Sequence, residues 1–94
     1  MNIGLKSNIA GLTNMISTFK LDLIFLQEVR ISESQIENII GRGFKCKVNI
    51  DADNIHKPGT AVIWRESLSV SEVSVLVPCR AQFLILGNCG FINI

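Results

Sequence analysis

Residues 21 to 28 read Leu21-Asp22-Leu23-Ile24-Phe25-Leu26-Gln27-Glu28. The continuous apolar middle of this stretch predicts a strand buried on both faces, as in a parallel sheet. Upstream, Ile9, Leu12, Met15, Ile16 and Phe19 recur at helical spacing. Ser7 or Asn8 can cap the start of that helix, and Lys20 lies near its end, where a cation suits the dipole. Before it, Met1-Asn2-Ile3 reads as a strand stump and Gly4 to Ser7 as a turn. Strand, helix and buried strand make a βαβ unit, for which a right-handed crossover is expected.

Downstream, Ser32-Glu33-Ser34-Gln35 fits a capping box, and Ile36, Ile39 and Ile40 form a short apolar stripe. Gly41 and Gly43 stop this second helix. Phe44 to Ile50 alternates through Phe44, Cys46, Val48 and Ile50, the pattern of a half-exposed strand. Asp51 to Gly59 is the clearest loop. After it the chain becomes β-rich: Thr60 to Trp64, Val70 to Val77 and Gln82 to Leu86 read as strands. Gly87-Asn88-Cys89-Gly90 then reads as a tight turn into Phe91-Ile92-Asn93-Ile94.

Composition narrows the classes. The chain has 94 residues, 48% of them hydrophobic, with two prolines and no tyrosine. That apolar content excludes disorder, and the length taken alone suits one small domain. Apolar runs such as Leu23 to Leu26 fall far short of the ~20 residues that a membrane-spanning helix needs. No charged leader followed by an apolar core opens the chain, so a secretory signal is not expected. Nine Lys plus Arg balance eight Asp plus Glu. This neither demands nor excludes a nucleic-acid partner, which needs a local patch. Cys46, Cys79 and Cys89 are odd in number and lack C-x-x-C spacing, so free thiols in a reducing compartment are expected. With one His, a structural zinc site has almost no ligands to draw on.

Glu28 is placed like a functional group, at the carboxyl end of the apolar strand, where ligands gather in open α/β sheets. A Mg²⁺ ion is held by only one or two carboxylates plus water and phosphate, so a single Glu suffices. The plainer reading is a solvated Glu beside Arg30. Asn2, near the end of the first strand, would face the same crevice, although Asn before a turn is also ordinary.

On these residues a family resemblance rests. Asn2-Ile3-Gly4-Leu5, a helix, and Asp22-Leu23-Ile24-Phe25-Leu26-Gln27-Glu28-Val29-Arg30 resemble the start of the endonuclease/exonuclease/phosphatase superfamily, the DNase I-like fold. That family opens with an L-N-x-x-G-L … D-I-I-x-L-Q-E signature. Pro58-Gly59-Thr60-Ala61-Val62-Ile63 is similar to its G-x-A-I strand, and Phe91-Ile92-Asn93-Ile94 to the strand that continues into Y-A-P. The resemblance is nearest to the endonuclease domain of LINE-type non-LTR retrotransposons, which nicks target DNA.

The resemblance implies an α/β (α+β) fold, the N-terminal portion of a four-layer α-β-β-α sandwich with mixed sheets. Residues 1–94 would be the N-terminal fragment of an endonuclease/exonuclease/phosphatase domain. It also implies Mg²⁺-dependent hydrolysis of phosphodiesters, with Glu28 as metal ligand and Asn2 organising the carboxylate and phosphate network. DNA is the implied partner and an intracellular, nuclear setting the implied location. The family's Tyr, Asp-x-Asn pair and late Asp-His pair have no counterparts here, and His56 sits in the mid-chain loop. The chain alone is therefore expected to be inactive. Two alternatives stay open: a non-catalytic interaction module derived from such a domain, and a fragment of a phosphatase or exonuclease member.

Among remaining features, Arg30, Lys45, Lys47, Lys57 and Arg65 could touch a DNA backbone or be simply solvated. Trp64 could stack on a base but suits packing within a β segment. Gly41-Arg42-Gly43 is a helix stop and no phosphate loop. Cys79 beside Arg80 has no His partner for thiol catalysis.

Overall fold

The computed structural model describes residues 2–3, 6–51, 53–54 and 57–94, with the side chains of 2–3 and 6–10 outside the description. Among the described residues two helices and seven strands follow one another as β1 (Asn2–Ile3), α1 (Lys6–Phe19), β2 (Leu23–Val29), α2 (Glu33–Ile40), β3 (Phe44–Asn49), β4 (Gly59–Arg65), β5 (Val70–Val77), β6 (Ala81–Leu86) and β7 (Cys89–Asn93). They form an α+β fold with two small sheets. The first has the order β1-β2-β4-β3 and the second β5-β6-β7. Strand β1 runs parallel to β2, and every other pairing is antiparallel.

The buried strand at Leu23 is covered on both faces, as its unbroken apolar run requires. Ile24 and Leu26 point into a cluster with Leu12 of α1, Ile36 and Ile40 of α2, and Cys46, Ala61 and Ile63. Leu23 and Phe25 point the other way, into a cluster with Val62, Trp64, Leu84, Leu86 and Phe91. Strand β4 divides its side chains in the same manner, Ala61 and Ile63 toward the helices and Val62 and Trp64 toward the second sheet. The layers are thus helices, first sheet, second sheet. Trp64 is buried packing, with no face free for a base. Among the described residues no helix is long and apolar enough to cross a membrane.

Helix α1 starts at Lys6, which puts Ser7 and Asn8 inside it and not at the cap; the residues that precede it lie outside the described ones. Lys20 follows the helix end with φ 50°, the left-handed stop more often made by Gly. Helix α2 carries the expected capping box. The Ser32 hydroxyl accepts from the Gln35 backbone at 3.3 Å, and the Gln35 side chain accepts from the Ser32 backbone at 2.8 Å. Gly41 then closes it with φ 73°. In the last hairpin Leu86 pairs with Cys89, so Gly87 and Asn88 are the two turn residues. Gly87 has φ 60°, as a type II′ turn demands at its first central position.

The reading of β3 as a half-exposed strand needs correction at one residue. Asn49, on the face opposite Cys46's neighbours in the pattern, is only 5% exposed. The second sheet covers the end of β3 there, and Asn49 satisfies its amide within that contact.

Candidate functional site

A cleft of about 470 Å³ opens at the carboxyl end of β2, lined by Gln27, Glu28, Lys57, Gly59, Cys79 and Arg80, among others. It lies where the two sheets meet. Glu28 reaches it from a bulge: Leu26 pairs with Ala61 and Val29 with Gly59, so β2 has one residue more than β4 in this interval. The extra residue is accommodated with Glu28 at φ 52°, a left-handed conformation that costs a non-glycine residue about 1–2 kcal/mol. The bulge turns the Glu28 side chain outward at the strand end, where it is exposed.

Asn2 pairs in register with Gln27, so the backbone of Asn2 lies beside the residue preceding Glu28. The side chain of Asn2, and with it the network role expected of it, lies outside the described residues, as does His56. Arg30 is exposed and forms no ion pair with Glu28 among the described residues, so the plain pairing does not occupy the carboxylate.

Beneath the cleft a polar network ties the sheets together. Gln27 Nε2 donates to Asn93 Oδ1 at 2.8 Å. Asn93 Nδ2 in turn donates to the carbonyls of Ala61 at 3.0 Å and Leu26 at 3.2 Å. Gln82 Nε2 donates to the Lys47 carbonyl at 3.1 Å. Asn49, Gln82 and Asn93 are all buried, and each has its amide hydrogen-bonded, as burial requires. The network fixes Gln27 and so the start of the Glu28 bulge.

At the opposite wall, the turn from Val77 to Arg80 is closed by the Arg80 N–H donating to the Val77 carbonyl at 3.0 Å. Pro78 takes its first central position and Cys79, at φ 63°, its second. This is a type II arrangement, where the second place favours Gly or Asn. The buried Asn49 side chain holds it: Oδ1 accepts from Cys79 N–H at 3.0 Å, and Nδ2 donates to the carbonyls of Val77 at 3.0 Å and Ala81 at 3.3 Å. Gly59 is required beside it, because a side chain there would run into the Asn49 carbonyl oxygen.

Of the basic residues considered for a DNA backbone, Lys57 lines the cleft. Arg65 is engaged elsewhere, with Nε donating to Asp22 Oδ1 at 2.7 Å and the guanidinium over the Phe44 ring at 4.7 Å. Lys45 and Lys47 are exposed along β3. The sequence reading did not place Arg80, Asn49, Gln82 or Asn93 at a site. The signal available for Arg80 was its position after Pro78, in the turn between two strands that end at the first sheet.

A second group of ligating atoms lies apart from the cleft. Glu33 and Glu37, one helical turn apart on α2, bring their carboxylates within 4.8 Å of each other and of Cys46 Sγ. Burial, and then the charges of Glu33 and Glu37, push the Cys46 thiol up to about 12. A protonated thiol is a poor partner for a hard cation such as Mg²⁺, which takes oxygen ligands. Glu28 offers an exposed carboxylate, and a Mg²⁺ ion retains several waters and binds phosphate oxygens alongside one carboxylate. Compared with known proteins, the chain matches no family model, no curated protein and no solved structure.

Proposed function

We propose that this chain is the N-terminal part of a Mg²⁺-dependent phosphodiesterase domain of the DNase I-like kind, similar to the DNA-nicking endonuclease of LINE-type retrotransposons. One observation carries the reading: Glu28, at the carboxyl end of β2 beside the end of the parallel strand β1, lines a cleft between two stacked sheets with Lys57 and Arg80. A carboxylate flanked by two cations suits a metal ion bridged to a phosphate. Glu28 would hold Mg²⁺, which when bound neutralises phosphate charge. The chain's own residues then bind and orient. Lys57 and Arg80 attract the phosphate, and the Gln27–Asn93 bridge ties the strand that carries the Glu28 bulge to the second sheet.

The same reading assigns the outer face of the second sheet to a fourth, helical layer of the sandwich. Phe83, Ile85 and Ile92 alternate onto that face, and Ile92 is 56% exposed. The Tyr, Asp-x-Asn and Asp-His elements of the family are absent from residues 1–94, so these residues bind metal and phosphate without turnover.

The test is Mn²⁺ titration of the purified chain with a short DNA duplex, followed by water-proton relaxation. Glu28-dependent binding, abolished in Glu28→Gln, is the expected result. Equal Mn²⁺ binding by the two proteins sinks the metal assignment. Robust Mg²⁺-dependent nicking that Glu28→Gln abolishes would overturn the inactivity.

The exposed apolar face also favours a second reading, a non-catalytic module that pairs through its second sheet. A monodisperse, cooperatively folding dimer indifferent to divalent cations would select it.

A further inference from the structure

We propose that Arg80 is the phosphate anchor of the cleft, presented by a strained turn that the buried Asn49 side chain clamps. The parent of the phosphate, a DNA phosphodiester, rests on the function proposed above. The anion site itself stands on the geometry of the chain.

Three residues other than glycine have a left-handed backbone among those described: Lys20, Glu28 and Cys79. Lys20 ends a helix, where this conformation is common. The other two both line one cleft. Strain of this kind persists only where the surroundings enforce it, and it gathers at sites that must hold a group in place.

At Cys79 the enforcing contact is visible. Asn49 is 5% exposed and turns most of its amide to the turn: its oxygen takes the Cys79 N–H, and its nitrogen serves the carbonyls of Val77 and Ala81 beside Thr60 Oγ1 of its own sheet. Asn49 belongs to the first sheet and the turn to the second. The clamp therefore locks Arg80 to the sheet that carries Glu28, so the two charges cannot drift apart as the sheets shift.

Arg80 is exposed at the cleft and forms no ion pair among the described residues. Its guanidinium donors are uncommitted. With Lys57 it gives the lining two cationic side chains against the single carboxylate side chain of Glu28. A planar fork of donors beside a second cation matches the oxygens of a phosphate. Asn49, by contrast, touches no ligand; it is a positioning residue.

The experiment is fluorescence anisotropy of a labelled short DNA duplex in EDTA across a salt series. Arg80→Gln should weaken binding about fivefold to tenfold and lower the log–log salt slope by about 0.9, one phosphate contact. Arg42→Gln, which removes an equal charge from the exposed α2–β3 connection, should change far less. Arg80→Lys should recover part of the loss. Glu28→Gln should tighten binding, because without metal its carboxylate repels the phosphate.

Equal losses in Arg80→Gln and Arg42→Gln overturn the anchor, as does a wild-type chain that binds duplex no better than Arg80→Gln. Unfolding midpoints measured on the same samples confirm that these exposed substitutions leave the fold intact. If the Arg80 effect holds while Mn²⁺ binding proves indifferent to Glu28, the metal assignment falls and the anion site stands. The opposite pair of results removes only the anchor.

Discussion

Gln27 and Asn93, 66 positions apart in the chain, are joined side chain to side chain at 2.8 Å. The bond links the strand that carries Glu28 to the last strand of the second sheet. Asn93 is 2% exposed and also serves the carbonyls of Leu26 and Ala61, so one amide stitches three strands at the floor of the cleft.

Removing that amide should be costly. Asn93→Ala leaves Gln27 without its acceptor and opens a small void. An unsatisfied buried polar group costs about 1–3 kcal/mol, and the void adds to it. A loss of about 2–4 kcal/mol is expected, read as a lower urea midpoint with an unchanged slope. A shift below about 0.5 kcal/mol would mean that water replaces the amide without penalty.

Glu28 and Lys20 should both prefer glycine on stability grounds alone. Each is exposed and left-handed, so substitution relieves backbone strain while little packing is lost. Glu28→Gly and Lys20→Gly should each stabilise the chain by about 0.5–1 kcal/mol, seen as a rise of a few degrees in Tm. Only Glu28→Gly should also lose divalent-cation binding. A carboxylate kept at the expense of stability is what a functional position looks like.

The thiols should separate by burial. Cys89 is exposed, while Cys46 and Cys79 are buried, so a thiol reagent at pH 8 should label one site quickly and two only on unfolding. Cys46 adds a pH dependence. Its folded pKa, about 12, stands above the ordinary value of 9.0, so the stability tied to the protonated thiol is fully present below pH 9 and is lost as pH climbs toward 12. The difference in unfolding free energy between wild type and Cys46→Ala should therefore be flat up to about pH 8 and shrink above pH 9. A difference that grows with pH would contradict the burial of this thiol.

The outer face of the second sheet should drive association. Ile92 is 56% exposed and pairs with Phe83, with Ile85 on the same face. Exposed apolar surface beside a free strand edge invites another chain. Sedimentation should show mass rising with concentration for the wild type, and Ile92→Lys should suppress it. Concentration-independent monomers in the wild type would refute this.

Much of the architecture was legible along the chain. Strand β5 spans Val70 to Val77 as its β-branched run predicts, and the Ser32–Gln35 capping box opens α2. The Leu23–Leu26 run is buried on both faces, and Glu28 ends its strand at a cleft. These features depend on neighbours within a few positions: capping geometry, side-chain alternation, a glycine where φ must be positive. The start of α1 was misplaced because Ser7 and Asn8 resemble caps wherever they stand, and local capping chemistry does not fix where a helix begins.

The other half of the site belongs to the tertiary structure alone. In the sequence Asn49 falls on the polar side of a half-exposed strand, and Cys79 beside Arg80 lacks a His partner for thiol catalysis. Stacking the second sheet on the first buried the Asn49 amide, and a buried amide must find partners. It found them in the Val77–Arg80 turn, holding Cys79 in a left-handed backbone beside Arg80, which lines the same cleft as Glu28. Sequence set each strand and the carboxylate at the end of one of them. Only the packing of two sheets, which brings together residues about thirty to seventy positions apart, decided which cations would face it.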